Sequence, residues 1–249
     1  MLSGFATVGR RLQIAVVTGA SSGIGAELCR ELKRRGFKVV GISRRPSPDA
    51  DEHETCDVSD REAVDAVAAS VIARHPRIDL LVNNAGFGVR NGFTDSTPEE
   101  IEGVMRTNYL GSVWALRAFL PALGAGSHVV NVVSVAGTVA LGPYSSSKHA
   151  QLAFSRSVGA ELAGRGITVH TVNPGFVETP GFPQGRRFGA LLSRFVAQPP
   201  FVVERMLHAV DHGKREIVVP RWYRPAAWLQ ALAPGLVARV LARLGPRGI

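Results

Sequence analysis

Tyr144 and Lys148 stand four residues apart in a stretch whose spacing predicts a helix over residues 144–166. One helical turn separates them, so they share a face. That pairing has a chemical use. A free tyrosine has a pKa of about 10 and is a poor acid–base catalyst at neutral pH. A nearby ammonium stabilises the phenolate and brings the group closer to the working range. Ten positions before the tyrosine lies Ser134, closing an apolar run, 128–134, that reads as a buried strand. A hydroxyl there can hydrogen-bond a carbonyl oxygen and orient it. Nine residues separate the serine from the tyrosine. An extended chain covers roughly 3.3 Å per residue, which is enough to join a strand end to a helix start.

The elements that must position these side chains follow a regular rhythm. The run "LQIAVVTG" (12–19) ends at glycine and reads as a buried strand. Residues 23–36 carry helical spacing at Ile24, Leu28 and Leu32 and stop at Gly36. Strands are expected at 37–43, 78–86, 128–134, 167–175 and 215–220. Helices are expected at 59–75, with Ser59 as cap and Glu62 completing a capping box, and at 97–123, with Thr97 as cap before Pro98. A last one is expected at 200–213. The strands are continuously apolar, as they are when helices cover both faces of a parallel sheet. The expected fold is α/β, a doubly wound parallel sheet in a single domain over residues 1–220, with right-handed crossovers. Residues 221–249 stand apart as a basic tail.

"TGASSGIG" (18–25) follows the first strand and opens a helix. Gly19, Gly23 and Gly25 let the backbone turn sharply, with Ser21, Ser22 and Ile24 among them. Free amide groups at the positive end of a helix favour a phosphate. About 20 residues further on, dinucleotide folds read the adenosine ribose at the end of the second strand, an acid binding the 2′-OH and an arginine a 2′-phosphate. Here that place holds Ser43, Arg44 and Arg45, and no carboxylate. Two guanidiniums suit a dianionic phosphate, so NADP(H) is the expected cofactor.

The glycine spacing T-G-x-x-x-G-x-G, then "NNAG" (83–86), Asn108, "YSSSK" (144–148) and "NPGFVET" (173–179), in that order, resembles the short-chain dehydrogenase/reductase family in its compact single-domain branch. The resemblance runs over roughly residues 12 to 220. It implies a Rossmann fold and hydride transfer between a nicotinamide and a carbonyl or secondary alcohol. Tyr144 would protonate the developing alkoxide, and Lys148 would tune it and bond the nicotinamide ribose. Ser134 would orient the carbonyl, and Asn108 would position water for proton supply through the lysine. Asp57 and Val58 would flank the adenine. Asn84, Ala85 and Gly86 match the turn under the ribose. Val177 and Thr179 match positions that hold the carboxamide, with Pro174 and Gly175 shaping the turn. Ser145, Ser146 and Ser147 are expected to be small helix residues allowing close cofactor approach, and His149 to lie off the reacting face. Similar proteins carry a slightly longer segment between serine and tyrosine, so the short one here is expected to trim a wall of the substrate pocket.

Residues 181–200 lie where the family has a mobile substrate loop. Phe182, Phe188, Leu191, Leu192 and Phe195 would line an apolar pocket or pack on the body, and an apolar ketone or aldehyde is the expected substrate. A nucleotide-binding sensor or scaffold of the same fold is the alternative, although it would not need Tyr144.

The 249 residues are 45% hydrophobic and 20% charged, with net charge +9. No nucleic-acid motif is legible, so the positive balance is assigned to an anionic cofactor rather than to nucleic acid. Cys29 and Cys56 do not make a disulfide scaffold or a zinc spacing and are expected reduced and buried. No stretch resembles a signal peptide or a membrane span, which points to a cytoplasmic protein. A homodimer or homotetramer is expected. The tail has five arginines and no acid, and Leu236, Val237, Val240, Leu241 and Leu244 form a helical stripe behind Trp222, Tyr223 and Trp228. Two readings stay open for it: packing over its own domain or a dimer partner, and lying on an anionic membrane surface.

Overall fold

The computed structural model describes residues 11–89, 91–139, 142–180, 196–233, 235–237 and 239–240. Most of the expected substrate loop, with Phe182, Phe188, Leu191, Leu192 and Phe195, lies outside the described residues, as do Leu241 and Leu244. Seven strands run parallel in one sheet: β1 (Gln13–Thr18), β2 (Phe37–Ser43), β3 (Glu52–Thr55), β4 (Leu80–Asn83), β5 (His128–Val132), β6 (Thr168–Pro174) and β7 (Glu216–Val219). Their order is β3-β2-β1-β4-β5-β6-β7. The chain builds outward from β1 to β3, then crosses back to lay β4 on the other side of β1. That reversal opens a crevice at the carboxyl ends of β1 and β4, the place where open α/β sheets bind ligands.

Strand side chains alternate between two cores. Ala15, Val17, Val39, Leu80 and Val130 pack under α1 (Gly23–Arg34) through Leu28 and Leu32. On the opposite face Ile14, Val16, Val40, Leu81 and Val129 join Val64, Leu116, Phe119 and Val158. These come from α2 (Arg61–Arg74), α4 (Gly111–Phe119) and α5 (Gly142–Glu161). The first core also takes Val202 and Met206 of α6 (Pro199–Asp211). Both faces are apolar, which is why the strands lack polar alternation. Cys29 and Cys56 are free and buried. Burial pushes their thiols up to about 12 and about 11, so neither is a ready nucleophile.

Two local readings are corrected, and one strand is added. The cap of α2 is Asp60, whose carboxylate accepts from the amides of Glu62 and Ala63 at 3.0 and 3.2 Å, while the Ser59 hydroxyl donates to Asp57 at 2.8 Å. β3 is a short polar edge strand that no apolar run announces; its ladder with β2 and a Lys38–Glu52 ion pair of 2.8 Å hold it. The expected helix 97–123 is divided. α3 (Pro98–Met105) starts with the foreseen Thr97 cap, closed reciprocally by Glu100, and gives way to a π turn (Arg106–Leu110) before α4. The Gly111 amide bonds the Arg106 carbonyl five residues back, which leaves room for Asn108 to reach inward.

A buried polar chain locks α5 onto the sheet. Asn83 of β4 donates to Asn131 of β5 at 2.8 Å, Asn131 donates to Ser155 of α5 at 2.9 Å, and Ser155 meets Thr171 of β6 at 2.7 Å. Asn131 and Asn83 are essentially inaccessible to solvent. Inside the core such bonds are directional where apolar contacts are not, so they set the roll of α5 about its own axis.

Candidate active site

The first turns of α5 carry Tyr144 and Lys148, and the end of β5 leads straight to Ser134. Ser134 shares a hydrogen bond with the Tyr144 phenol. The shortened segment therefore keeps serine and tyrosine in contact. Its described part, residues 135–139, lies against α5. A short 3-10 turn (Val135–Thr138), capped by Ser134 through the Ala136 amide at 3.0 Å, crosses the helix where Gly137 has no side chain. A Cβ on Gly137 would sit 2.8 Å from the Lys148 carbonyl. The Ser145 hydroxyl donates to the Ala136 carbonyl at 2.7 Å and also contacts the Val139 carbonyl, clamping the turn.

Lys148 is almost wholly buried, with 4% of its surface exposed. Its Nζ donates to the Val132 carbonyl at 3.1 Å and to Gln151 Oε1 at 2.8 Å, and lies 6.0 Å from the centre of the Tyr144 ring. Burial disfavours the ammonium and brings the lysine down to about 7. Burial raises Tyr144 above its ordinary value, partly offset by the bond to Ser134. In the free chain the phenol therefore holds its proton. Asn108 is fully buried beside this pair. Its amide accepts from the Phe87 N–H at 3.0 Å and donates to the Phe87 carbonyl and to Ser147 Oγ, each at 3.0 Å. Ser147 in turn donates to the Tyr144 carbonyl at 2.7 Å.

The glycine turn lies alongside. Gly19 and Gly23 take left-handed φ values of +69° and +58°. A Cβ on Gly25 would fall 2.2 Å from the Gly19 carbonyl, so the turn is folded onto the helix start. The Thr18 hydroxyl accepts from the amides of Asn84 and Ala85 at 3.0 and 3.1 Å, and Asn84 donates to the Thr18 carbonyl at 3.0 Å. This joins the turn after β4 to the glycine turn. Gly86 lies against Asn108 and near Lys148 Nζ. Ser22 opens α1 without a side-chain cap, and the first turn holds no acid. A phosphate suits that uncapped end. Thr179 sits over Gly23, while Val177 is buried and bridged to Ala197. The sequence thus places the residues after β6 against the residues after β1.

At the end of β2 the Ser43 hydroxyl bonds the Arg45 carbonyl at 2.6 Å. Arg45 reaches Ser22 Oγ at 3.5 Å, and Arg44 reaches Asp57 at 3.5 Å. Burial alone would raise Asp57, but the Ser59 N–H and O–H and the Arg44 guanidinium hold it below its ordinary value. Val58 is buried against Gly111. Both arginines are exposed, and a long exposed ion pair is weak enough to exchange for another anion.

The sequence model of the short chain dehydrogenases matches residues 13–187. The chain belongs to the short-chain dehydrogenase/reductase family. Dehydrogenase/reductase SDR family member 7B of Bos taurus is 30% identical, over 93% of this chain and 81% of the relative. A putative ketoacyl reductase of Streptomyces coelicolor is 36% identical over 68% of this chain and 72% of its own length. A Burkholderia cenocepacia short chain dehydrogenase in complex with NADP matches at a TM-score of 0.80 and 28% identity, covering 93% of this chain and 98% of that one. A Burkholderia phymatum short chain dehydrogenase/reductase in complex with NAD has a TM-score of 0.79 over 92% of this chain and 96% of that one, at 23% identity, which speaks to the fold.

Several residues of this family member escape a motif reading. The hydroxyls of Ser145 and Ser147 are used, where the sequence suggested only small size. Gln151 and Ser112 lie outside every motif; the visible sign of Gln151 was a polar residue on the lysine's side of the helix, one turn on. Tyr223, after β7, packs its ring so closely on Gly175 that a Cβ there would lie 2.1 Å from it. His149 faces away, lining a cavity of about 510 Å³ with Arg156, Arg224 and Trp228. Gly137→Ala is expected to lift the 3-10 turn from α5 and cost about 1–3 kcal/mol, read as a lower urea midpoint. A midpoint equal to wild type would show that the turn does not depend on that close approach.

Proposed function

We propose that this short-chain dehydrogenase/reductase is an NADP(H)-dependent carbonyl reductase, or the reverse alcohol dehydrogenase, acting on an apolar ketone or aldehyde. The observation that carries the reading is Tyr144, bonded to Ser134 and one turn from a buried lysine, beside a glycine turn and a strand end that bears two arginines and no acid. The glycine turn fits a dinucleotide phosphate, since it is tight, uncapped and free of acid. The nicotinamide, when bound, exchanges the hydride. Every other part falls to the chain. Tyr144 keeps its proton in the free protein and gives it to the carbonyl oxygen as that oxygen becomes an alkoxide. Ser134 orients the oxygen, and Lys148 favours the phenolate left behind. In the reverse direction the phenolate takes the proton from the alcohol. Arg44 and Arg45 would hold the 2′-phosphate, with Ser21, Ser22 and Ile24 at the pyrophosphate and Asp57 and Val58 at the adenine. Asn84, Ala85 and Gly86 would lie under the ribose, and Pro174, Gly175, Val177 and Thr179 beside the nicotinamide. The putative ketoacyl reductase among the relatives supports carbonyl reduction.

The test is NADPH oxidation with a panel of apolar ketones and aldehydes. Tyr144→Phe is expected to lower kcat/KM by about 100-fold or more while NADPH still binds. Arg44→Ala is expected to weaken NADPH by about 10- to 100-fold, one charge-assisted bond's worth, with NADH little changed. Equal losses for the two cofactors would overturn the phosphate assignment. Tight NADPH binding with no turnover on any carbonyl would favour the sensor or scaffold instead.

A second reading concerns the tail. Among its described residues Trp222, Trp228 and Leu229 are 55%, 60% and 49% exposed, and Leu232 is 86% exposed. Trp228, Leu229 and Leu232 share one side of α7 (Arg224–Leu232), and Arg224 stacks over Trp228 at 5.5 Å. Exposed aromatic and leucine side chains among arginines, in a segment with no acid, suit an anionic lipid surface. A second tail would bring like charges together. No described helix is long and apolar enough to cross a membrane. The chain is expected to co-sediment with phosphatidylglycerol-containing vesicles and not with phosphatidylcholine vesicles, and to lose that binding in a Trp228→Ala, Leu232→Ala double variant. Equal pelleting of the variant would end the lipid reading.

A further inference from the structure

Lys148 is the one cation of the described residues that is placed in the interior of the fold with no carboxylate beside it. Its neighbours among the described residues are neutral. Val132 of β5 offers a carbonyl; Gly86, after β4, offers no side chain; Asn108 of the π turn and Ser112 of α4 are uncharged. Tyr144, one turn back on the same helix, is a titratable group on its side, with its ring centre 6.0 Å from Nζ. Burial is the whole cause of its lowered pKa.

Within this neutral shell Gln151 has a particular place. It is fully buried, one turn beyond the lysine. Its Oε1 accepts from Lys148 Nζ at 2.8 Å, and its Nε2 donates to Ser112 Oγ at 2.8 Å. Ser112 Oγ then donates to the Asn108 carbonyl at 3.1 Å. The directions leave no choice. The serine proton goes to the backbone carbonyl, so the serine oxygen must accept, and the amide must turn its nitrogen to the serine and its oxygen to the lysine. The amide orientation is therefore fixed from one end by backbone, and it presents an acceptor only to a donor. Asn108 thus meets α5 twice: through its side chain at Ser147, and through its carbonyl, Ser112 and Gln151 at Lys148.

We propose that Gln151 is a positioning residue for Lys148, a neutral acceptor that ties the lysine to the Asn108 turn and holds its ammonium one turn from Tyr144 without cancelling its charge. A carboxylate at this position would also hold the nitrogen, but it would neutralise the field that stabilises the phenolate. An apolar residue of the same volume would leave the ammonium one acceptor short in a dry site and push it towards the neutral amine. An ammonium has three donors. Two are spent on Val132 and Gln151, and one remains for the reacting side.

The role rests on the acid–base reading of Tyr144 and Lys148, so the test has one arm that needs no turnover. Lys148 is titrated in the cofactor-free chain through the NMR signal of its 13C-labelled ε-carbon, for wild type, Gln151→Met, Gln151→Glu and Ser112→Ala. Loss of one charge-assisted bond is expected to lower the Lys148 pKa by about one unit in Gln151→Met. Gln151→Glu is expected to raise it. Ser112→Ala, a milder change, is expected to lower it in the same direction as Gln151→Met and serves if that variant does not fold. The second arm is the pH profile of NADPH-dependent reduction of a ketone, whose alkaline limb, set by loss of the Lys148 proton, is expected to move down in Gln151→Met and up in Gln151→Glu. Lys148 titrating as in wild type in both the Met and the Ala variants would overturn the proposal. Shifted titrations in a protein that reduces no carbonyl would leave the positioning role standing and remove the enzymatic reading instead.

Discussion

The structure turns on keeping one ammonium in a dry interior. Moving a charge out of water costs several kcal/mol unless polar groups replace the hydration. Here the replacements are a backbone carbonyl at the end of β5 and a glutamine amide on α5, and no opposite charge among the described residues. Each has a structural requirement. The Val132 carbonyl is available because β5 ends there and the chain turns away. Gln151 keeps its orientation because Ser112 and the Asn108 carbonyl dictate it. Asn108 can reach inward because the helix is widened to a π turn at that point. The interruption of a helix that the sequence spacing would carry straight through is thus part of the same arrangement as the lysine.

The lysine's position also depends on how α5 is rolled against the sheet. Apolar contacts alone would let a helix rotate by some degrees at small cost, since side chains of similar size repack. The Asn83–Asn131–Ser155–Thr171 chain removes that freedom, because each bond has a direction and each partner is buried. The crevice at the carboxyl ends of β1 and β4 faces the first turns of the same helix. Thr18, at the end of β1, carries the turn after β4 on its hydroxyl, so the expected cofactor residues and the expected proton donor share a single rigid support.

How legible this was in the sequence depends on the kind of signal. Continuous apolar strands, glycine stops and the Thr97 cap are local and one-dimensional, and the alternating α/β order followed from them. The glycine turn, Asn108, Ser134, Tyr144 and Lys148 stood out because spaced chemistry-bearing residues form a pattern. β3 did not, because an edge strand with polar residues carries no core signature and depends on a partner strand distant in sequence. Asp60 and Ser59 are equally good caps by residue type, and only the backbone geometry decides which one holds the helix end. Gln151 and Ser112 are bonded across 39 positions, a relation that no periodicity encodes.

The serine–tyrosine spacing shows why motif distance is a weaker guide than anchor geometry. A segment shorter than in similar proteins could have pulled Ser134 away from the phenol. It does not, because both ends are held independently: Ser134 by the strand that leads to it, and Tyr144 by a helix fixed on the sheet. The segment between needs only to lie close, and Gly137 permits that by offering no side chain to the Lys148 carbonyl while Ser145 bonds the carbonyls above it. A longer segment would arch away from the helix and fill space beside the phenol. At the same end of the sheet the ring of Tyr223 covers Gly175. In this chain the residues after β7 thus close in on the same end of the sheet as the residues after β6.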